Sequence, residues 1–136
     1  MKTAIRFFTR SKKGNTAKLA GAVSESLGIE AFPVTEDLPE RVDRLLLLNA
    51  MYAANVDREV TAFLERNRDK IGEVVNMNTS ATGKSTYKAV RRATERLGIP
   101  LSEKEFHCKA SWIFLNKGLP SENDLSRAGE FAKSFD

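Results

Sequence analysis

The sequence has one cysteine, Cys108, and one histidine, His107, in 136 residues. A lone cysteine excludes an internal disulfide, and the two residues together fall short of cysteine-rich or histidine-based metal sites. Long apolar runs are also missing. The most apolar stretch, Leu45-Leu46-Leu47-Leu48, has the length of a buried strand and is far below the roughly 20 residues that span a bilayer. Lys2, Arg6, Arg10, Lys12, Lys13 and Lys18 interrupt the first twenty residues, which leaves no place for the apolar core of a secretory signal. At 41% hydrophobic and 29% charged, the chain has the composition of a folded domain. We expect a single domain over residues 1–136, cytoplasmic and without membrane association. The net charge of +4 is too small to argue for nucleic-acid binding.

Apolar runs of strand length alternate with segments of helical period, the pattern of a parallel α/β sheet. Strands are expected at Ala4 to Phe8, Ile29 to Val34, Leu45 to Leu48, Val74 to Met77, and Phe106 to Leu115 with an interruption near Lys109 to Ser111. Pro33 puts the second of these at an edge. The first helix would bury Leu19, Ala20, Val23 and Leu27 and stop at Gly28. A second, capped by Asn55, would bury Val56, Val60, Phe63 and Leu64. Tyr87, Val90 and Leu97 would line a third, which ends at Gly98 and Pro100. The last follows Pro120, with Ser121 and Asp124 at capping-box spacing, and would bury Leu125, Ala128, Phe131, Ala132 and Phe135. The predicted fold is a three-layer, doubly wound α/β sandwich whose ligands sit at the carboxyl ends of the strands.

The segment Thr9-Arg10-Ser11-Lys12-Lys13-Gly14-Asn15-Thr16 joins the first strand to the first helix. Its chemistry suits a phosphate monoester. Thr9, Ser11 and Thr16 carry hydroxyls, Asn15 carries an amide, and Gly14 permits close backbone approach. The helix dipole adds partial positive charge there, and no acidic residue precedes Glu25. The same residues also fit a solvated loop with a lysine pair and a helix cap.

These residues resemble the flavodoxin family, whose first loop reads Thr/Ser-x-Thr/Ser-Gly-Asn-Thr and cradles the phosphate of FMN. Here Thr9-Arg10-Ser11 and Gly14-Asn15-Thr16 match with Lys12-Lys13 inserted. Alternatively, Ser11 to Thr16 is the motif, with Lys13 in place of a hydroxyl residue. The resemblance runs the length of the chain and implies a five-stranded sheet of order 2-1-3-4-5. Asn49-Ala50-Met51-Tyr52-Ala53-Ala54 stands where the first ring-binding loop belongs, and Thr79-Ser80-Ala81-Thr82-Gly83 where the second does. Within that frame Met51 and Tyr52 would flank the isoalloxazine, and Ser80 and Thr82 would lie at its edge. The backbone of Asn49 to Ala54 and of Thr79 to Gly83 would read the pyrimidine edge. The chain departs from the family in three ways. Met51 to Ala54 has no glycine, the second loop has no aromatic before Tyr87, and the sequence pI is about 9.3.

What the resemblance implies is an FMN-binding electron-transfer protein that shuttles one or two electrons between a reductase and an acceptor protein. It would have no catalytic residue and no metal of its own. Two other classes remain open: a small FMN-dependent NAD(P)H or quinone reductase, and a flavodoxin-fold binding module that has lost flavin. A response-regulator receiver is excluded because no aspartate cluster follows Phe8 or Leu48. Lys84, Lys88, Arg91, Arg92 and Arg96 form a basic helix face that would suit an acidic redox partner, nucleic acid or, as such faces usually do, simply solvent. Cys108 reads as a small buried hydrophobe, His107 as structural or exposed, and Asn67 to Lys70 as a solvated helix end. Trp112 reads as a core or sheet-edge aromatic.

Overall fold

Four consecutive leucines can all be buried only in a strand that is covered on both faces, since neighbouring side chains point to opposite sides. The computed structural model, which describes residues 1–8, 10, 14–52, 55–111 and 117–135, places them so. The elements in chain order are β1 (Thr3–Phe7), α1 (Asn15–Leu27), β2 (Ala31–Pro33) and β3 (Arg44–Ala50). Then come α2 (Arg58–Asn67), a 3-10 turn (Arg68–Lys70), β4 (Val74–Ser80), α3 (Tyr87–Leu97), β5 (Phe106–Lys109) and α4 (Glu122–Lys133). The strands form one sheet of order β2-β1-β3-β4-β5, parallel at every pairing. This is the predicted three-layer sandwich.

Leu45 and Leu47 pack with Val60, Phe63 and Leu64 of α2 and Val90 and Ala93 of α3. Leu46 and Leu48 pack with Leu19 and Val23 of α1 and Ala128 and Ala132 of α4. Each leucine is at most 1% exposed, which contributes roughly 1.5–3 kcal/mol per side chain. On the second face, α1 and α4 approach so closely that a Cβ at Gly129 would collide with Ser26 Oγ. No helix among the described residues is long and apolar enough to cross a membrane.

Several local expectations are corrected. β3 continues to Ala50 because Asn49 and Ala50 still pair with Asn78 and Thr79. β2 shrinks to three residues at the sheet edge. Asn55 does not cap α2. Its backbone pairs with Tyr52, and Asp57 is the cap, accepting from the Glu59 amide at 2.9 Å. Asn67 is 1% exposed, so it is no solvated helix end. Its side chain accepts from the Leu38 amide and donates to Asp37 and to the Phe63 carbonyl, pinning the 34–38 loop to α2. β5 ends at Lys109, and its expected continuation through Trp112 to Leu115 lies outside the described residues. Gly28 and Gly98 close their helices at φ 68° and 72°, and Ser121 with Asp124 makes the capping box.

Two glycines should respond to alanine with opposite signs. A Cβ at Gly72 would sit 2.6 Å from the Asp43 carbonyl oxygen, and overpacking of this kind costs about 1–3 kcal/mol. A Cβ at Gly21, inside α1, meets nothing, and the gain there is about 0.4–1 kcal/mol. Urea denaturation of Gly72→Ala and Gly21→Ala should move the midpoint down and up respectively.

Candidate functional site

From β1 the chain turns outward to β2, and β3 returns on the other side of β1. The loops that leave β1 and β3 therefore diverge and open a crevice at the carboxyl edge. Gly14 stands at the mouth of this crevice as the N-cap of α1, with extended φ −68° and ψ 164°. Among the described residues, no side chain accepts from the first amides of α1, and its first turn has no acidic residue. The other helices are served. Asp57 caps α2, Ser85 Oγ accepts from the Tyr87 amide at 2.9 Å, and Ser121 Oγ accepts from Asp124 at 3.2 Å. The amino end of α1 thus keeps donors and partial positive charge facing the crevice.

The first turn of α1 is fastened to β4, on the face of the sheet that α1 covers. The Thr16 and Thr79 hydroxyls lie 3.0 Å apart, both buried. This pair has two protons for one mutual bond, so one hydroxyl proton stays available to a further acceptor. The Asn15 amide donates to the Ser111 carbonyl at 3.0 Å and to its hydroxyl at 3.2 Å. Thr9, Ser11, Lys12 and Lys13 of the predicted phosphate loop lie outside the described residues.

The loop after β3 begins with the Met51 amide donating to the Thr79 carbonyl at 3.1 Å. Tyr52 and Asn55 exchange backbone hydrogen bonds of 2.7 and 3.0 Å, and Ala53, also expected in the ring site, lies outside the described residues. Met51 and Tyr52 are half-buried. The Tyr52 ring, expected to flank the isoalloxazine, already has neighbours. The Arg10 guanidinium lies 3.9 Å from its ring centroid, Phe8 meets it edge-on at 6.4 Å, and Arg10 reaches Asp57 at 3.5 Å. Such an exposed cation–π contact is worth about 0.5–1 kcal/mol, little enough for a flat ligand to displace.

Asn49, whose backbone the resemblance sets at the pyrimidine edge, turns its side chain the other way. It is fully buried and faces α3, below the crevice. Its side chain donates to Asn76 at 2.8 Å and accepts from the Thr86 hydroxyl at 2.6 Å, while the Asn78 side chain accepts from the Thr86 amide at 3.1 Å. Sequence reading missed Asn76, Asn78 and Thr86. The available signal was the two asparagines at alternate positions of β4, on either side of Met77, which puts both on one face. Ser80 and Asn78 both donate to the Lys84 carbonyl, at 2.8 and 3.0 Å, and this draws the second loop into shape. Thr79 and Ser80 are buried, leaving Ala81, Thr82 and Gly83 at the surface of the crevice. Gly83 adopts φ 80°, and a Cβ there would press on Lys109 Cγ at 3.1 Å. Ala50 is half-buried at the end of β3, level with Thr79.

Cys108 is buried on β5, and His107 beside it is exposed. Burial pushes the Cys108 thiol up to about 11, helped by the Asp124 charge and opposed by Arg127. The folded state thus holds this proton more tightly than the unfolded chain does. The contribution to stability is constant below about pH 9 and declines toward pH 11, where only the unfolded thiol ionises. At pH 8, iodoacetamide should label Cys108 in native protein far more slowly than in urea. Equal rates would remove the buried-thiol assignment.

No protein-family model matches the chain, and no curated protein matches it in sequence. Solved structures match in shape. Oxidised flavodoxin 1 from Bacillus cereus superposes with TM-score 0.69 at 14% identity, over 99% of this chain and 97% of that one. A Fusobacterium nucleatum flavodoxin bound to flavin mononucleotide gives 0.67 at 15%, over 99% and 97%. An NADH:FMN oxidoreductase in its apo form gives 0.64 at 15%, over 99% and 88%. The chain has the flavodoxin-like fold.

Proposed function

We propose that this chain is a flavodoxin-like flavoprotein that holds FMN in the crevice and passes electrons between partner proteins. The observation that carries the reading is the amino end of α1. It lies at the switch point with no acidic residue and no side-chain cap among the described residues, and Gly14 brings no side chain of its own there. The donors there fit a phosphate monoester: backbone amides of the first turn and the hydroxyl proton that the Thr16–Thr79 pair leaves over. Met51 and Tyr52 would wall one side of the ring, and Ala81 to Gly83 would border its edge. One neighbour of the same fold carries FMN, which supports the choice of cofactor. Bound FMN would supply a ring that takes up and releases one or two electrons. Cations around it, Arg10 among them, favour added negative charge on the ring and so a higher reduction potential than acidic surroundings would give.

The Arg10 contact on Tyr52 favours a second reading, in which the fold persists as a binding module without flavin. One substitution discriminates between the two. Gly14→Asp places a capping carboxylate at a φ and ψ that suit it and should stabilise the fold by about 0.5–1 kcal/mol. The same charge would stand where the phosphate binds, so FMN affinity should fall by about tenfold or more. Quenching of flavin fluorescence and thermal melts measure the two effects. Wild-type protein that never quenches added FMN would support the module reading.

A further inference from the structure

We propose that α3 docks an acidic protein surface along a single file of cations that begins beside the cofactor crevice. Residues 84–96 contain five Lys and Arg and one acid, while the rest of the chain has 17 of each sign. The whole net charge of +4 therefore resides in this one helix and the residues leading into it. Its distribution is ordered. α3 buries Ala89, Val90, Ala93 and Thr94, which turns Lys88, Arg92 and Arg96 outward at i,i+4 spacing, roughly 12 Å along the axis. The neighbouring stripe is neutralised, because Arg91 meets Glu95 at 2.8 Å. Among the described residues, neither Lys84 nor the three cations of the file make an ion pair. Like charges at this spacing repel, a cost that the fold does not require.

The crevice end of the file is anchored. The Lys84 carbonyl accepts from Asn78 and Ser80, so Lys84 continues the file onto the loop that borders the crevice. Lys109, whose Cγ would touch a Cβ at Gly83, adds a cation at the same place. A file this narrow on an otherwise neutral body matches a ridge of carboxylates better than a nucleic-acid backbone, which rewards a broader field. As the partner of a redox protein, this acidic surface would be brought beside the flavin. That part rests on the function proposed above; the docking surface itself does not.

Poly-L-glutamate serves as the probe for the full chain, with amide chemical shifts followed at about 20 and about 200 mM salt. Shifts should cluster on residues 84–96 and fade at the higher salt. Lys88→Glu, Arg92→Glu and Arg96→Glu together should weaken binding at least about tenfold, against less than about threefold for the matched control Lys18→Glu, Arg68→Glu and Lys133→Glu. If the triple variant does not fold, Arg92→Glu alone should still weaken binding more than Arg68→Glu alone. Equal losses in file and control variants, shifts spread over other faces, or tighter binding to a short DNA duplex or phosphatidylserine vesicles would overturn the proposal. FMN titration separates the two claims. The file variant should keep wild-type affinity for FMN, and protein that binds poly-L-glutamate on α3 without binding FMN would sink only the electron-transfer role.

Discussion

The two-sided burial of β3 is the constraint on which the rest of the molecule depends. Its leucines have neighbours on both faces, so two helix layers must cover the sheet, and every irregular segment is driven to the strand ends. With β1 connecting outward to β2 and β3 lying on its other side, the two central loops part at the carboxyl edge. The crevice follows from that wiring and from the apolar pattern, whatever its occupant.

Polar residues at the upper end of the sheet make the floor of the crevice rigid. On the α3 face, Asn49, Asn76, Asn78 and Thr86 satisfy one another through bonds of 2.6 to 3.1 Å. On the α1 face, Thr16 and Thr79 pair. A buried polar group stabilises only when its partners are present, and here each strand end supplies partners for a neighbouring loop. Ser80, Asn78 and Gly83 then hold the second loop from beneath, so its exposed part is short and defined.

The strands and most helices were legible because burial imposes period two on strands and a near-fourfold repeat on helices, whereas the strand order came only with the resemblance to the flavodoxin family. Capping chemistry revealed the start of α4 and the ends of α1 and α3. Asn55 misled because it and Asp57 are both good caps two residues apart, and only the packing of Val56 and Val60 decides which one sits at the helix start. Asn67 misled because a mixed-charge tract looks solvated, yet its amide serves the Leu38 backbone, 29 residues away.

Sequence alone determined the parallel α/β sandwich, the amino end of α1 without an acidic residue after Gly14, and the concentration of net charge between residues 84 and 96. Those features are set by neighbours along the chain, where periodicity, capping and charge spacing act directly. Tertiary structure decided which polar residues face the crevice and which support it. Asn49 went to the α3 side, Thr79 and Ser80 sank below the surface, and Arg10 settled on Tyr52. Each outcome depends on strand register and on partners distant in sequence, which no local pattern records.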